Sequence, residues 1–343
     1  MDQTFAAELL RIIHAVEIIS PSAFSFAGKM FSSQDLALSP WSTKPTKNPL
    51  IAKLVDQLYS SCYCRRFNGD QLSEIVWPPP DDTFLTELSL AHAGRERWDS
   101  GWQTHRLLSS GQIIAQKGGI TRLLWPGEFV SHEGPGTAMR EGGRVSVFAP
   151  RDSKEMQPGF YFVFSETISD QQDEYNLLRF YWHVKHTGAP LLVKLITKEF
   201  NRFQLPFRFK SLALRAFYER TDAAVLYINK RFYRISVELL ADIYHELQDH
   251  LGADTPLFTK HLAPGLGLAE EPGTGESFGQ NRCRILAEGL WNASEKGLQT
   301  DHERLQEVRE QFERNGLSLD APFLNPRSSD EYTLLSVRAL TSQ

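Results

Sequence analysis

Three cysteines in 343 residues, Cys62, Cys64 and Cys283, are too few and of the wrong parity for a disulfide framework, so the chain is expected to fold in a reducing compartment. No stretch approaches the ~20 apolar residues that span a bilayer. The opening MDQTFAAELLRIIHAVEII is apolar, but Asp2, Glu8, Arg11, His14 and Glu17 deny it the uncharged core of a signal peptide, and no small-residue cleavage site accompanies it. Neither charge dominates: 37 Lys and Arg stand against 42 Asp and Glu, a formal net charge of -5, which speaks against a broad nucleic-acid footprint. Metal and nucleotide motifs are missing as well. His245 and His250 do not have the H-E-x-x-H spacing, Cys62 and Cys64 lack a partner pair, there is no phosphate-binding loop, and Gly265 and Gly267 lack the strand and third glycine of a dinucleotide fingerprint. No metal, no cofactor, no nucleic acid and no membrane are therefore expected.

With 41% hydrophobic and 23% charged residues, the chain has the make-up of an ordinary folded domain or two. Leu9, Ile12, Ile13, Val16 and Ile19 recur at helical spacing, a second helical pattern runs from about Pro49 to Tyr63, and Asp81 or Asp82 can cap a helix from about Thr83 to Trp98. A loop rich in Ser, Thr, Lys and Pro separates the first two. Beyond Gln103 the texture changes to short apolar runs broken by Gly: QIIAQKGGITRLLWPGEFV, GRVSVF, GFYFVF and NLLRFYWHV read as strands. A helix starting near Pro190, a strand FRFKSL, a doubly apolar central strand AAVLYI and a helix through Leu240, Ile243, Tyr244, Leu247 and Leu251 follow. Leu257 to Phe278 has no apolar period and reads as a long irregular stretch, before helices from Asn281 to Lys296 and Thr300 to Asn315. The expected class is α+β: a mainly helical N-terminal region, 1–100, then a mixed sheet with packed helices and two C-terminal helices over 101–343.

Two features remain as sources of chemistry. Gly275-Glu276-Ser277-Phe278-Gly279 spells the nucleophile elbow of serine hydrolases, but AEEPGTGE precedes it where that motif needs an apolar strand, so a hydrolase ranks low. The other is a set of cations. In a strand FRFKSL, Arg208 and Lys210 share one face, while Phe207 and Phe209 share the other. Arg220 sits at the entrance of AAVLYI, where a turn at RTD lets Asp222 orient it. Lys260 opens the irregular stretch, and Asn281 and Arg282 lie near a helix start, where free N–H groups favour an anion. Taken singly, each is more simply a solvated surface cation.

FYWHVKHTGAPLLVKLIT, LPFRFKSL, YERTDAAVLYI, PLFTKHLAPGLGLAEEP and SFGQNRC, in this order, resemble the HopA-type effector family from about Gln157 to Asn325, and LNPRSSDEY continues the likeness. The family contains type III secreted effectors, and also partners of aminoglycoside-phosphotransferase-like kinases in lanthipeptide and thioamitide pathways. The resemblance therefore implies a bacterial, cytoplasmic phosphothreonine/phosphoserine lyase, which eliminates phosphate from a precursor peptide to leave dehydrobutyrine or dehydroalanine. Such an elimination needs a base, cations on the departing phosphate and an acid. A lysine base works as the neutral amine, a state that burial and neighbouring cations favour. Lys210 is the expected base, with Lys260 the runner-up; Arg208, Arg220, Arg282 and Asn281 would hold phosphate, Asp222 would orient Arg220, and Tyr181 would supply the acid, with His183 on the same strand face. The alternative is a noncatalytic protein, either a secreted effector or a scaffold for a biosynthetic kinase.

Overall fold

The computed structural model describes residues 3–32, 48–70, 72, 76–134, 137–169 and 175–334. Much of the expected Ser/Thr/Lys/Pro loop, 33–47, lies outside the described residues. Helix α1 (Gln3–Ala15) buries Leu9, Ile12 and Ile13, as its spacing predicts, but it stops before Val16. Val16–Ser20 is instead β1, the first strand of a meander with β2 (Ala23–Phe26) and β3 (Lys29–Ser32). Burial alternates along β1, Ile19 is left 49% exposed, and the β-branched Val16, Ile18 and Ile19 favour the pleated backbone over a further helical turn. Ala27 and Gly28, both at positive φ, close the two-residue turn between β2 and β3.

Helix α2 (Pro49–Leu58) starts on Asn48, whose side chain accepts from the Leu50 amide at 2.9 Å, with Pro49 in the first turn. It runs directly into a π-helical turn, Tyr59–Tyr63. Helix α3 (Asp82–Ala91) is capped by Asp81 as expected, but ends seven residues short of Trp98, which lies in a strand.

That strand, β4 (Arg97–Leu107), forms an antiparallel sheet with β5 (Ile113–Lys117), β6 (Ile120–Leu124), β7 (Phe129–Ser131) and β8 (Arg144–Ala149), in the order β6-β5-β4-β8-β7. Trp102, Ile113, Ala115, Leu124, Val145 and Val147 make a small core of its own.

The central sheet has seven strands: β9 (Asp152–Ser153), β10 (Phe160–Phe164), β11 (Leu177–Trp182), β12 (Arg208–Leu212), β13 (Ala224–Asn229), β14 (Lys260–Ala263) and β15 (Leu266–Glu270). Their order is β14-β15-β11-β13-β12-β10-β9, every neighbour antiparallel. On one side lie α4 (Ala189–Arg202) and α5 (Tyr233–Leu247), with Phe180 stacked on Tyr233. On the other lies α6 (Phe278–Glu295), whose Phe278 meets Tyr181, and α7 (Asp301–Arg314) packs along it. A Thr300–Glu303 capping box starts α7.

The irregular stretch expected over Leu257–Phe278 contains the β14–β15 hairpin at the sheet edge. Its pattern is hidden because β15 is buried on both faces while β14 is mostly half-exposed. The turn needs Gly265: φ is +72°, and a Cβ would lie 2.4 Å from the Gly252 carbonyl oxygen. Cys62, Cys64 and Cys283 are buried thiols.

Candidate functional site

Strand register gathers the cations. On the face towards α6, one cross-strand row reads Phe164, Arg208, Tyr227, Arg179 and Ala269. The next reads Phe162, Lys210, Val225, Tyr181 and Gly267. Arg208 and Lys210 share this face as the alternation of FRFKSL requires, and both are half-buried. The Arg208 guanidinium lies 4.9 Å from the centre of the Tyr227 ring and the Arg179 guanidinium 5.1 Å from it. Lys210 sits 4.1 Å from the Phe160 ring centre and donates to Gln157 Oε1 at 3.3 Å. Arg179 is buried and paired with Glu271.

Tyr227, buried among these groups, was not a sequence candidate. Burial would push its phenol up, but Lys210 first, then Arg179 and Arg208, outweigh that and hold it below the usual tyrosine value. No described residue hydrogen-bonds its hydroxyl. The apolar texture of AAVLYI conceals it, and its charged neighbours come from the two flanking strands.

The turn at RTD does what the sequence predicts. Arg220 donates through Nε and Nη2 to the two carboxylate oxygens of Asp222, both at 2.8 Å, and both residues are buried. Although burial pushes Asp222 up, Arg220 and then Lys210 bring its carboxyl below the ordinary range. The pair is fastened to the π-turn: Tyr59 Oη reaches Asp222 Oδ2 at 3.4 Å, the Thr221 amide donates to the Cys64 carbonyl at 2.8 Å, and Thr221 Oγ1 donates to the Tyr63 carbonyl at 3.0 Å. The extra residue of a π-turn thus places a tyrosine and a carbonyl against the entrance of β13.

Tyr181 belongs to the second row, but it is buried between Tyr63 and Phe278, and among the described residues none hydrogen-bonds its hydroxyl with good geometry. Burial drives its phenol strongly upward, so it keeps its proton. His183, just past the end of the same strand, donates from Nδ1 to the Asp254 carbonyl at 3.2 Å, and burial lowers its pKa.

Arg282 and Asn281 are buried on the first turn of α6. Arg282 donates to the carbonyls of Pro322 at 2.7 Å and Leu324 at 3.0 Å and to Asn281 Oδ1, while Asn281 Nδ2 donates to Glu276 at 3.0 Å. They tie the C-terminal segment to the helix. Burial lowers the Arg282 guanidinium to about 10, still a cation at neutral pH. Ser277, the central residue of G-x-S-x-G, caps α6 by accepting from the Gln280 amide at 3.3 Å; a turn, not a strand, precedes it. Lys260 is not brought to the cluster. It pairs in register with Leu268, and Leu268 with Phe180, so it leaves the opposite face from Lys210. There it meets Asp330 at 2.6 Å.

Among the described residues, no group of three His, Cys, Asp or Glu is arranged to hold a metal ion, and no helix is long and apolar enough to cross a membrane. No curated protein matches the chain. Solved structures similar to it include two effector proteins. The effector protein from Pseudomonas syringae pv. tomato strain DC3000 is 14% identical, with a TM-score of 0.45 over 83% of this chain and 91% of that one. The effector protein from Pseudomonas syringae pv. syringae strain 61 is 19% identical, with a TM-score of 0.36 over 49% of this chain and 63% of that one. The model of the HopA1 effector protein family matches residues 151–324, which hold the whole central sheet and the cation rows, and the chain belongs to that family.

Proposed function

We propose that this protein is a phosphothreonine/phosphoserine lyase acting on a precursor peptide that a separate aminoglycoside-phosphotransferase-like kinase has phosphorylated, in the bacterial cytoplasm, during lanthipeptide-type biosynthesis. The observation that supports this reading is the convergence of Lys210, Arg208 and Arg179 around Tyr227 on one sheet face. Among the described residues, no carboxylate forms an ion pair with Lys210.

In the proposed reaction the Cα–H bond breaks and its proton passes to the lone pair of Lys210 Nζ. The electron pair forms the Cα=Cβ bond. The Cβ–O bond breaks, and phosphate leaves with the bonding pair. Nothing is oxidised or reduced, and no nucleotide is consumed. The half-buried Arg208 is the phosphate cation of this proposal, since the donors of Arg282 are already engaged with main-chain carbonyls. Arg220, held by Asp222, fixes the strand entrance.

Incubating the protein with a phosphothreonine peptide, in a chelator and without ATP, tests the proposal. The expected product has lost the elements of phosphoric acid, releases one equivalent of inorganic phosphate and adds a thiol. Return of the free threonine would identify a phosphatase instead. A phosphopeptide that binds and stays intact would identify a noncatalytic binding protein.

A further inference from the structure

The elimination needs a proton donor as well as a base, and Tyr181 is poorly suited because its phenol is packed between the rings of Tyr63 and Phe278, whereas Tyr227, also buried, lies between two guanidinium groups. We propose that Tyr227 is the general acid, giving its phenolic proton to the bridging oxygen of the departing phosphate while Lys210 takes the Cα proton. This inference rests on the lyase reading above.

The geometry carries it. Tyr227 stands on the strand between β11 and β12, so the register places one arginine on each side of its ring. The guanidinium centres lie 5.1 and 4.9 Å from the ring centre. Lys210 lies on the same face, one row along the adjoining strand. No described residue takes up the hydroxyl, so its donor is available to a substrate oxygen. Arg208 in this row and Lys210 in the next are half-buried rather than enclosed.

The charge arrangement fits an acid better than a base. When the phenol loses its proton to the leaving group, Lys210, Arg179 and Arg208 surround the phenolate that remains, and the lowered phenol pKa expresses that stabilisation. The proton count closes. Lys210 gains one proton from Cα, Tyr227 loses one to phosphate, and transfer from the ammonium to the phenolate restores the amine–phenol pair for the next peptide.

Tyr227→Phe tests this with little structural cost, since it deletes a hydroxyl that no described residue hydrogen-bonds. For a phosphothreonine peptide, kcat should fall about a hundredfold or more, KM should stay within about threefold, and the melting temperature should be unchanged. The wild type should lose kcat as pH rises through the ionisation of Tyr227, because only the phenol can donate. Replacing Tyr227 with a fluorotyrosine should move that alkaline limb to lower pH. A Tyr227→Phe enzyme with wild-type kcat, or one that loses only affinity, overturns the role of Tyr227 and leaves the lyase reading standing. A wild type that never eliminates phosphate overturns the lyase reading itself, and the two failures are told apart by that control.

Discussion

Lys210 and Lys260 leave opposite faces of the same seven-stranded sheet, and their neighbours differ in kind. Lys260 meets the carboxylate of Asp330, and nearby on that face Lys230 meets Glu270 at 3.0 Å, so each positive charge is answered by a negative one. Lys210 instead lies over Phe160 and Phe162, beside a row with two guanidinium groups and a phenol. The first arrangement ties chain segments together: Glu270 also accepts from Tyr332 and from the Asn325 amide, which pins the C-terminal segment to β15. The second sets two guanidinium groups around the Tyr227 ring with Lys210 on the same face, Arg179 being paired with Glu271. A sheet can spend the same residue type on cohesion at one face and, in the lyase proposed here, on an anion site at the other.

The sharpest way to break this comparison is to truncate each lysine. Lys210→Ala should reduce elimination by roughly a hundred- to ten-thousandfold, the range for loss of an acid–base group, in a folded protein. Lys260→Ala should leave kcat within about twofold. Equal losses in single-turnover assays of both variants would show that the two faces are not separated in function.

Much of this contrast was open to sequence reasoning and the decisive part was not. FRFKSL alternates strictly, so Arg208 and Lys210 could be assigned to one face, and the two-residue spacing of Arg220 and Asp222 allowed their pairing across a turn. Tyr227 reads as one more apolar core position, because its neighbours Arg179 and Arg208 reach it only through the strand order. The same order separates Lys260 from Lys210. Val16 and Ile19 fit the helical spacing although the strand sends them to opposite faces, which hid the N-terminal meander. Nothing near Arg282 in the sequence indicates that the carbonyls of Pro322 and Leu324 return to it.

Arg282 tests the boundary between cohesion and chemistry. Lysine keeps the charge, but its single ammonium cannot reproduce a fork that reaches Pro322, Leu324 and Asn281 at once. Arg282→Lys should therefore destabilise the fold by about 3 kcal/mol, the scale of losing buried hydrogen bonds from a charged group, as read from urea unfolding. At temperatures where the variant remains folded, phosphopeptide affinity should change little. A variant of normal stability that binds phosphopeptide at least tenfold more weakly would move Arg282 into the anion site.

The smallest expected effect belongs to the Lys260–Asp330 pair. Its side chains are 22% and 40% exposed, so water competes for both charges and salt screens them. Asp330 also accepts from the Tyr332 amide at 3.2 Å, a contact that Asp330→Asn can keep through its remaining carbonyl oxygen. That substitution removes the charge and little else, so stability should fall by less than about 1 kcal/mol, and most of the difference should vanish in high salt. Elimination kinetics should not change, because Lys260 points away from the row that holds Tyr227. The informative failure is kinetic. If Asp330→Asn leaves stability untouched but alters kcat severalfold, the freed Lys260 is reaching substrate around the sheet edge. The lysine on the supposedly cohesive face would then belong to the site.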